Sequence, residues 1–306
     1  MKRRIVIMQS TFGFTNLQTL LLSALAACVL LTTLALSPAR GDCAGDWRSG
    51  PFSITVLAWS NNKSLEFAST HVCVLTRVSG KFVGGGESVR VVLGNDDRWH
   101  LEAVSHQGGE GVNGTAHCFC KDGFLANGPD RWNSPPPPFE ATDLFPKTTT
   151  WNGDAATFIA GVNGHLRGGG EHARIVQSFD GFKPSELRIG SAAGDLKAWA
   201  HSFFAGKAGI GTPAKFIGGE FTMTHVVSLR SKVMAPTESA MCYFTLVKGK
   251  FDRTGDFAEI VPKTINGKEF WVLQAQRATE VPFLGAAPHA TGEIFVAARC
   301  YRRDQR

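Results

Sequence analysis

Beyond residue 50 the apolar residues of this chain fall into short runs, five to eight residues long, broken by glycine or by Asn/Asp corners. Within a run the alternation has a period of two. In the last one, Ile294, Val296, Ala298 and Cys300 share a face while Phe295, Ala297 and Arg299 take the other. Runs rich in Val, Ile, Phe and Thr, separated by corners such as Gly84-Gly85-Gly86 and Gly94-Asn95-Asp96-Asp97, read as antiparallel strands joined by hairpins. Glycine supplies backbone freedom at such corners, and Asn/Asp tolerate them through local hydrogen bonds.

The pattern recurs. Gly80, Gly164 and Gly249 stand 84 and 85 residues apart. Two residues after each comes an apolar side chain (Phe82, Leu166, Phe251), and seven after it an acid (Glu87, Glu171, Asp256). Apolar pairs follow at Val91-Val92, Ile175-Val176 and Ile260-Val261; Trp99 and Trp271 open matching runs, with Leu187 there in the middle copy. A near-constant period across unlike sequence points to duplication of one structural unit. The expected fold is all-β: three tandem quasi-equivalent antiparallel units with a period of about 85 residues, stapled by disulfides. The layout is a leader over 1–39, an N-terminal strap over 40–50, and β units over 51–120, 139–204 and 215–301. A Pro-rich linker (121–138) and a Gly/Pro linker (205–214) separate the units, and a basic tail (302–306) ends the chain. The stretches 52–59 and 221–229 add one or two strands ahead of each core. A unit of this size is marginal alone, so the middle one is expected to pack on its neighbours.

Cysteine placement follows the same map. Cys73 and Cys242 stand seven residues before the key glycine, and Cys118 and Cys300 close the same copies. The middle copy has Thr157 and Ser202 in those slots, so both partners are missing together. This joint loss pairs Cys73 with Cys118 and Cys242 with Cys300, leaving Cys43 to Cys120. A swap joining Cys73 to Cys120 is the competing arrangement, because Cys118 and Cys120 lie two residues apart.

The start of the chain changes the compartment. Lys2, Arg3 and Arg4 precede an uncharged apolar stretch over 17–36, and Ser37-Pro38-Ala39 offers small residues at a cleavage site. A removed signal peptide is expected. An uncleaved anchor and a lipoprotein held at Cys28 are the alternatives, and they are the routes by which a membrane would be a partner. Six cysteines beyond the leader then imply a secreted, periplasmic or cell-surface protein. Of the formal charge of +6, three come from the leader, leaving +3 and no basic stripe interleaved with aromatics; nucleic acid is not an expected partner.

No nucleophile elbow, zinc-protease helix or phosphate loop occurs in the chain, and neither a catalytic residue, a metal site nor a cofactor is assigned. The recurring acids Glu87, Glu171 and Asp256 have two readings: strand-start carboxylates that tie down a glycine turn, or one ligand contact per copy, with Trp99 and Trp271 as sugar platforms. His165 and His172 match no metal spacing, and His117 and His201, replaced by Arg299 in the third copy, read as a solvent-facing polar slot. Asn62-Lys63-Ser64 and Asn113-Gly114-Thr115 are glycosylation acceptors in a eukaryotic host. The block Cys–x–x–Thr–x–Val–x–Gly–x–Phe, followed by glycines, an acid and Ala–x–Cys, resembles short β-repeats of exported bacterial proteins, some of them adhesin-like. That resemblance implies an extracellular binding or envelope role. The expected function is non-enzymatic binding of a glycan or cell-surface component through repeated weak sites. The alternatives are a structural envelope protein and a secreted hydrolase with its site between units.

Overall fold

The computed structural model describes residues 43, 47–83, 86–106, 111–121, 139–142, 147–148, 155–177, 185–190, 196–204, 216–226, 228–277 and 293–303. The leader with its cleavage site and Cys28, most of both linkers, and residues 304–306 of the tail lie outside these. Among the described residues no helix is long and apolar enough to cross a membrane.

The alternating runs become strands. The first third of the body holds β1 (Arg48–Val56), β2 (Trp59–Phe67), β3 (His71–Lys81), β4 (Ser88–Leu93), β5 (Arg98–Ser105) and β6 (Val112–Cys120). The second holds β7 (Phe139–Thr142), β8 (Lys147–Thr148), β9 (Ala155–Asn163), β10 (Arg167–Val176), β11 (Glu186–Gly190) and β12 (Lys197–Phe204). The last holds β13 (Phe221–Val226), β14 (Arg230–Pro236), β15 (Ala240–Lys250), β16 (Asp252–Ile265), β17 (Lys268–Gln276) and β18 (Ile294–Arg302). Strand β5 shows the cause plainly: Trp99, Leu101, Ala103 and Ser105 are buried while His100, Glu102 and Val104 face outward.

Every strand pairing is antiparallel, and the strands form three sheets of six, in the orders β1-β6-β3-β16-β17-β14, β13-β18-β15-β10-β11-β8 and β2-β5-β4-β9-β12-β7. The three stretches expected from the sequence as units thus share their sheets rather than stacking as separate blocks. No third of the chain owns a sheet. Each sheet takes the first, sixth and third strands of one third and the fourth, fifth and second of another. The pairings β4–β9, β10–β15 and β16–β3 therefore link first to second, second to third and third back to first, which closes a circle. Residues 43–306 behave as one compact unit with one continuous apolar core.

The three disulfides join the pairs expected from the sequence. Cys73 lies opposite Cys118 across β3–β6, and Cys242 opposite Cys300 across β15–β18, each with Cα atoms 4.0 Å apart. Cys43 reaches Cys120 with a Cα separation of 6.0 Å. Beside this clip Trp47 packs on Phe119 at 5.0 Å between centroids, and ahead of β13 Phe216 packs on Tyr301 at 5.3 Å. Three such bridges suit an extracellular or otherwise oxidising compartment.

In the second third, Thr157 and Ser202 face each other across β9–β12, their hydroxyls 2.8 Å apart in a buried hydrogen bond. A hydrogen bond thus occupies the position of a covalent bridge. The double substitution Thr157→Cys with Ser202→Cys is expected to close a third strand-bridging disulfide. It should stabilise the fold by about 4 kcal/mol through loop entropy. Non-reducing peptide mapping and thermal melts of the double variant against each single one check this.

Candidate functional site

The glycine corners and their acids lie where the chain passes between the three sheets. Gly80, Gly164 and Gly249 have φ of 114°, 100° and 114°, a region that a side chain strains. A Cβ on Gly80 would collide with the Gly111 carbonyl, and one on Gly249 with that of Glu293. Just after each turn the chain passes from one sheet to the next, and there the main chains lock together. Phe82 N–H donates to Phe251 O (2.7 Å), Phe251 N–H to Leu166 O (2.7 Å) and Leu166 N–H to Phe82 O (2.9 Å). Three hydrogen bonds thus form a closed ring, with all three side chains buried.

Glu87, Glu171 and Asp256 sit beside this ring, and all three are buried. The Asp256 carboxylate accepts from the main-chain N–H groups of Asp252 (2.9 Å) and Arg253 (3.1 Å), which is the turn-tying role. The Glu87 main-chain carbonyl accepts from Gly164 N–H at 2.9 Å, tying one corner to the next. Nearby, Asp252 is paired with Lys250 (2.9 Å) and Arg277 (3.2 Å). Burial pushes its carboxyl pKa up, and those two cations together with a hydrogen bond to Asp256 more than offset this, leaving it below the usual range. The acids expected at a ligand-facing rim therefore point into the fold.

Trp99 and Trp271 are fully buried as well, and offer no face to an external sugar. Their indole N–H groups donate to His71 O (2.8 Å) and Ala240 O (2.7 Å), satisfying donors that burial would otherwise strand. Each ring meets a histidine edge-on: Trp99 with His201 and Trp271 with His117, both at 5.1 Å. The slot expected to face solvent is thus interior, since both histidines are buried. Burial holds His117 down at about 3, with the Arg48 guanidinium pushing the same way. Burial likewise holds His201 down at about 4, with the Val91 main chain pulling weakly upward. Both are neutral at ordinary pH. In the third copy Arg299 avoids the problem by reaching toward Glu220 (4.0 Å), which also accepts from the Thr245 hydroxyl (2.7 Å).

Of the exposed large apolar side chains, Phe67 lies at the far end of β2 and Val233 along β14, while the three most exposed lie at the same end of the strands as the ring. Val56, Val112 and Gly80 are in register across β1–β6–β3, and Val226, Ile294 and Gly249 across β13–β18–β15. The β1–β2 and β13–β14 corners accordingly rise at the end that carries the ring. On the first, Leu57 is 59% and Trp59 82% exposed; on the second, Leu229 is 56% exposed. Trp59 adopts φ of 70°, a left-handed conformation that costs a bulky side chain roughly 1–2 kcal/mol. Both corners are braced alike. Lys63 donates to Ser53 O and lies over the Phe52 ring, and Lys232 donates to Thr222 O and lies over Phe221, at 3.4 and 5.9 Å in each case.

The sequence carried a signal for this surface that alternation by itself overlooked. With Ile54 and Val56 inward, Leu57 and Trp59 fall where the run turns over, beyond the last buried residue of β1. The remaining polar features have local roles. His100 bonds Asn62 (2.9 Å) and Asp96 (2.8 Å), which lowers the Asp96 pKa and closes the β4–β5 corner. Asn62 is exposed, whereas Asn113-Gly114-Thr115 runs along β6 between two neighbours, with the Thr115 hydroxyl 3.0 Å from Ser53. Among the described residues no group of three or more His, Cys, Asp or Glu side chains is placed to hold a metal ion.

Two outcomes follow from the buried groups. The unfolded chain takes up protons at His117 and His201 near pH 6.5, while the folded chain resists until about 3 and 4. Their contribution is fully present above pH 6.5 and falls as pH drops, by roughly 3 kcal/mol for each by about pH 4. Denaturant melts between pH 7 and 4 should show this limb, and His201→Phe should remove part of it. Asp256→Ala should cost about 1–3 kcal/mol of folding stability, read in the same melts, because two main-chain donors lose their acceptor. No family model, curated protein or solved structure matches the chain.

Proposed function

We propose that this protein is a non-enzymatic binding protein of an extracytoplasmic compartment, engaging a component of a cell surface through the end that carries the β1–β2 and β13–β14 corners. The observation that carries this reading is Trp59, an indole 82% exposed on a backbone conformation that disfavours it. Residues held at a conformational cost cluster where function requires them. Leu57 and Leu229 extend the same exposed apolar character over two similarly braced corners. The disulfides fit the compartment, and they hold strands rather than any reactive centre. The recurring acids and the buried tryptophans serve the fold and are not assigned to binding in this reading.

The test is binding of the purified, oxidised protein to isolated cell envelopes, compared with Trp59→Gly. Glycine accepts the left-handed backbone freely, and the removed side chain is largely in solvent. The variant should therefore melt at the same or a higher temperature, with stability raised by up to about 1 kcal/mol, while binding falls at least tenfold. Wild-type binding with unchanged melting would sink the assignment of this end as the binding surface.

A further inference from the structure

Which surface component this end takes is indicated by how charge is distributed along the strands. The exposed carboxylates among the described residues are Asp96 and Asp97 in the β4–β5 turn, Glu238 in the β14–β15 turn and Glu269 at the start of β17. All four stand at the far end: Leu93 pairs with Trp99 there, Ala240 opens β15 away from Gly249, and Lys268 closes the β16–β17 hairpin opposite Ile265. Exposed cations stand beside them there (Lys263, Lys268 and Arg302), whereas toward the corner end and along the adjoining edge strands the exposed charges among the described residues are cations alone. Arg230 begins β14 and Lys197 begins β12, with Lys63 and Lys232 on the flanking edges. Among the described residues the acids at this end are buried (Glu87, Glu171 and Asp256) or half-buried (Asp252 and Glu293), and Asp252 is neutralised by Lys250 and Arg277.

Resting on the surface-binding reading above, we propose that the partner is the anionic surface of a lipid bilayer, into which Leu57, Trp59 and Leu229 insert at headgroup depth while Lys197, Arg230 and Lys232 meet the negative charge. Two features select a lipid over a glycan. The exposed side chains are leucines as well as an indole, and aliphatic tips gain from leaving water but give a sugar no hydrogen bond. The nearest amide–imidazole–carboxylate set, Asn62, His100 and Asp96, is bonded within itself and runs toward the far end. An indole at the interface with basic residues behind it is the arrangement that holds a protein on a bilayer without spanning it. Its attraction grows with anionic lipid content and falls with salt.

The experiment is co-sedimentation of the oxidised protein with vesicles of phosphatidylcholine alone and of phosphatidylcholine with phosphatidylglycerol, alongside the envelope assay and a glycan array. The wild type should bind the mixed vesicles at least tenfold more tightly than the neutral ones, and added salt should weaken it. Leu57→Ser, Trp59→Gly and Leu229→Ser combined should lose vesicle binding at least tenfold without lowering the melting temperature. Lys197→Glu with Arg230→Glu and Lys232→Glu should abolish the preference for the anionic mixture. Envelope binding without vesicle binding, above all with a glycan hit on the array, overturns the lipid assignment and leaves the surface-binding reading standing. Absence of binding to envelopes and vesicles alike overturns both. Vesicle binding that the triple apolar variant retains overturns the insertion of these three residues.

Discussion

Three main-chain hydrogen bonds where the sheets meet, from Phe82 to Phe251, Phe251 to Leu166 and Leu166 to Phe82, are the constraint on which the rest of this fold depends. Each joins a different pair of thirds, so none can form fully until residues far apart in sequence have met. The same logic governs the sheets, because β3 of the first third completes its pairing on β16 of the last. Contacts of such sequence separation carry a loop-closure cost before they return any stability. The disulfides reduce that cost locally: Cys73–Cys118 and Cys242–Cys300 fix the three-strand arrays on which the later strands dock.

Around this junction the polar groups serve closure. Asp256 ties the turn that leads into β16, and Glu87 accepts from the glycine of the neighbouring corner through its main chain. Trp99 and Trp271 bridge sheets, each ring edge-on to a histidine of the adjoining third and each N–H bonded to a carbonyl. Burying neutral imidazoles there is favourable only above the pH at which the unfolded chain would protonate them. Acid therefore weakens the core through these two side chains.

The outer end follows a different physical rule. Turns that only reverse the chain are usually polar, yet Leu57, Trp59 and Leu229 remain in solvent, and Trp59 does so at a conformational penalty. A folded monomer gains nothing from that arrangement, whereas a partner that removes these side chains from water does. Among the described residues the exposed charges toward this end are cations, while the opposite end carries both signs.

Much of the fold was written in local sequence. Period-two alternation places Ile294, Val296, Ala298 and Cys300 on one buried face, and the joint absence of two cysteines from the middle copy points to the correct disulfides, because opposed strand positions change together. The offsets from Gly80, Gly164 and Gly249 mark where the chain must turn, since only glycine accepts those backbone angles without strain. Local sequence holds no record of which strand each element pairs with. A strand's hydrogen-bonding edges are the same whatever its neighbour, so tandem units and strands shared around a circle have one alternation pattern. His117 and His201 looked external because Arg299 shares their slot, but only the packed sheets decide that an arginine there reaches Glu220 while the imidazoles meet buried indoles. The exposure of Trp59 was decided the same way: its sequence resembles the end of a strand, and only the tertiary structure shows that corner uncovered among the described residues.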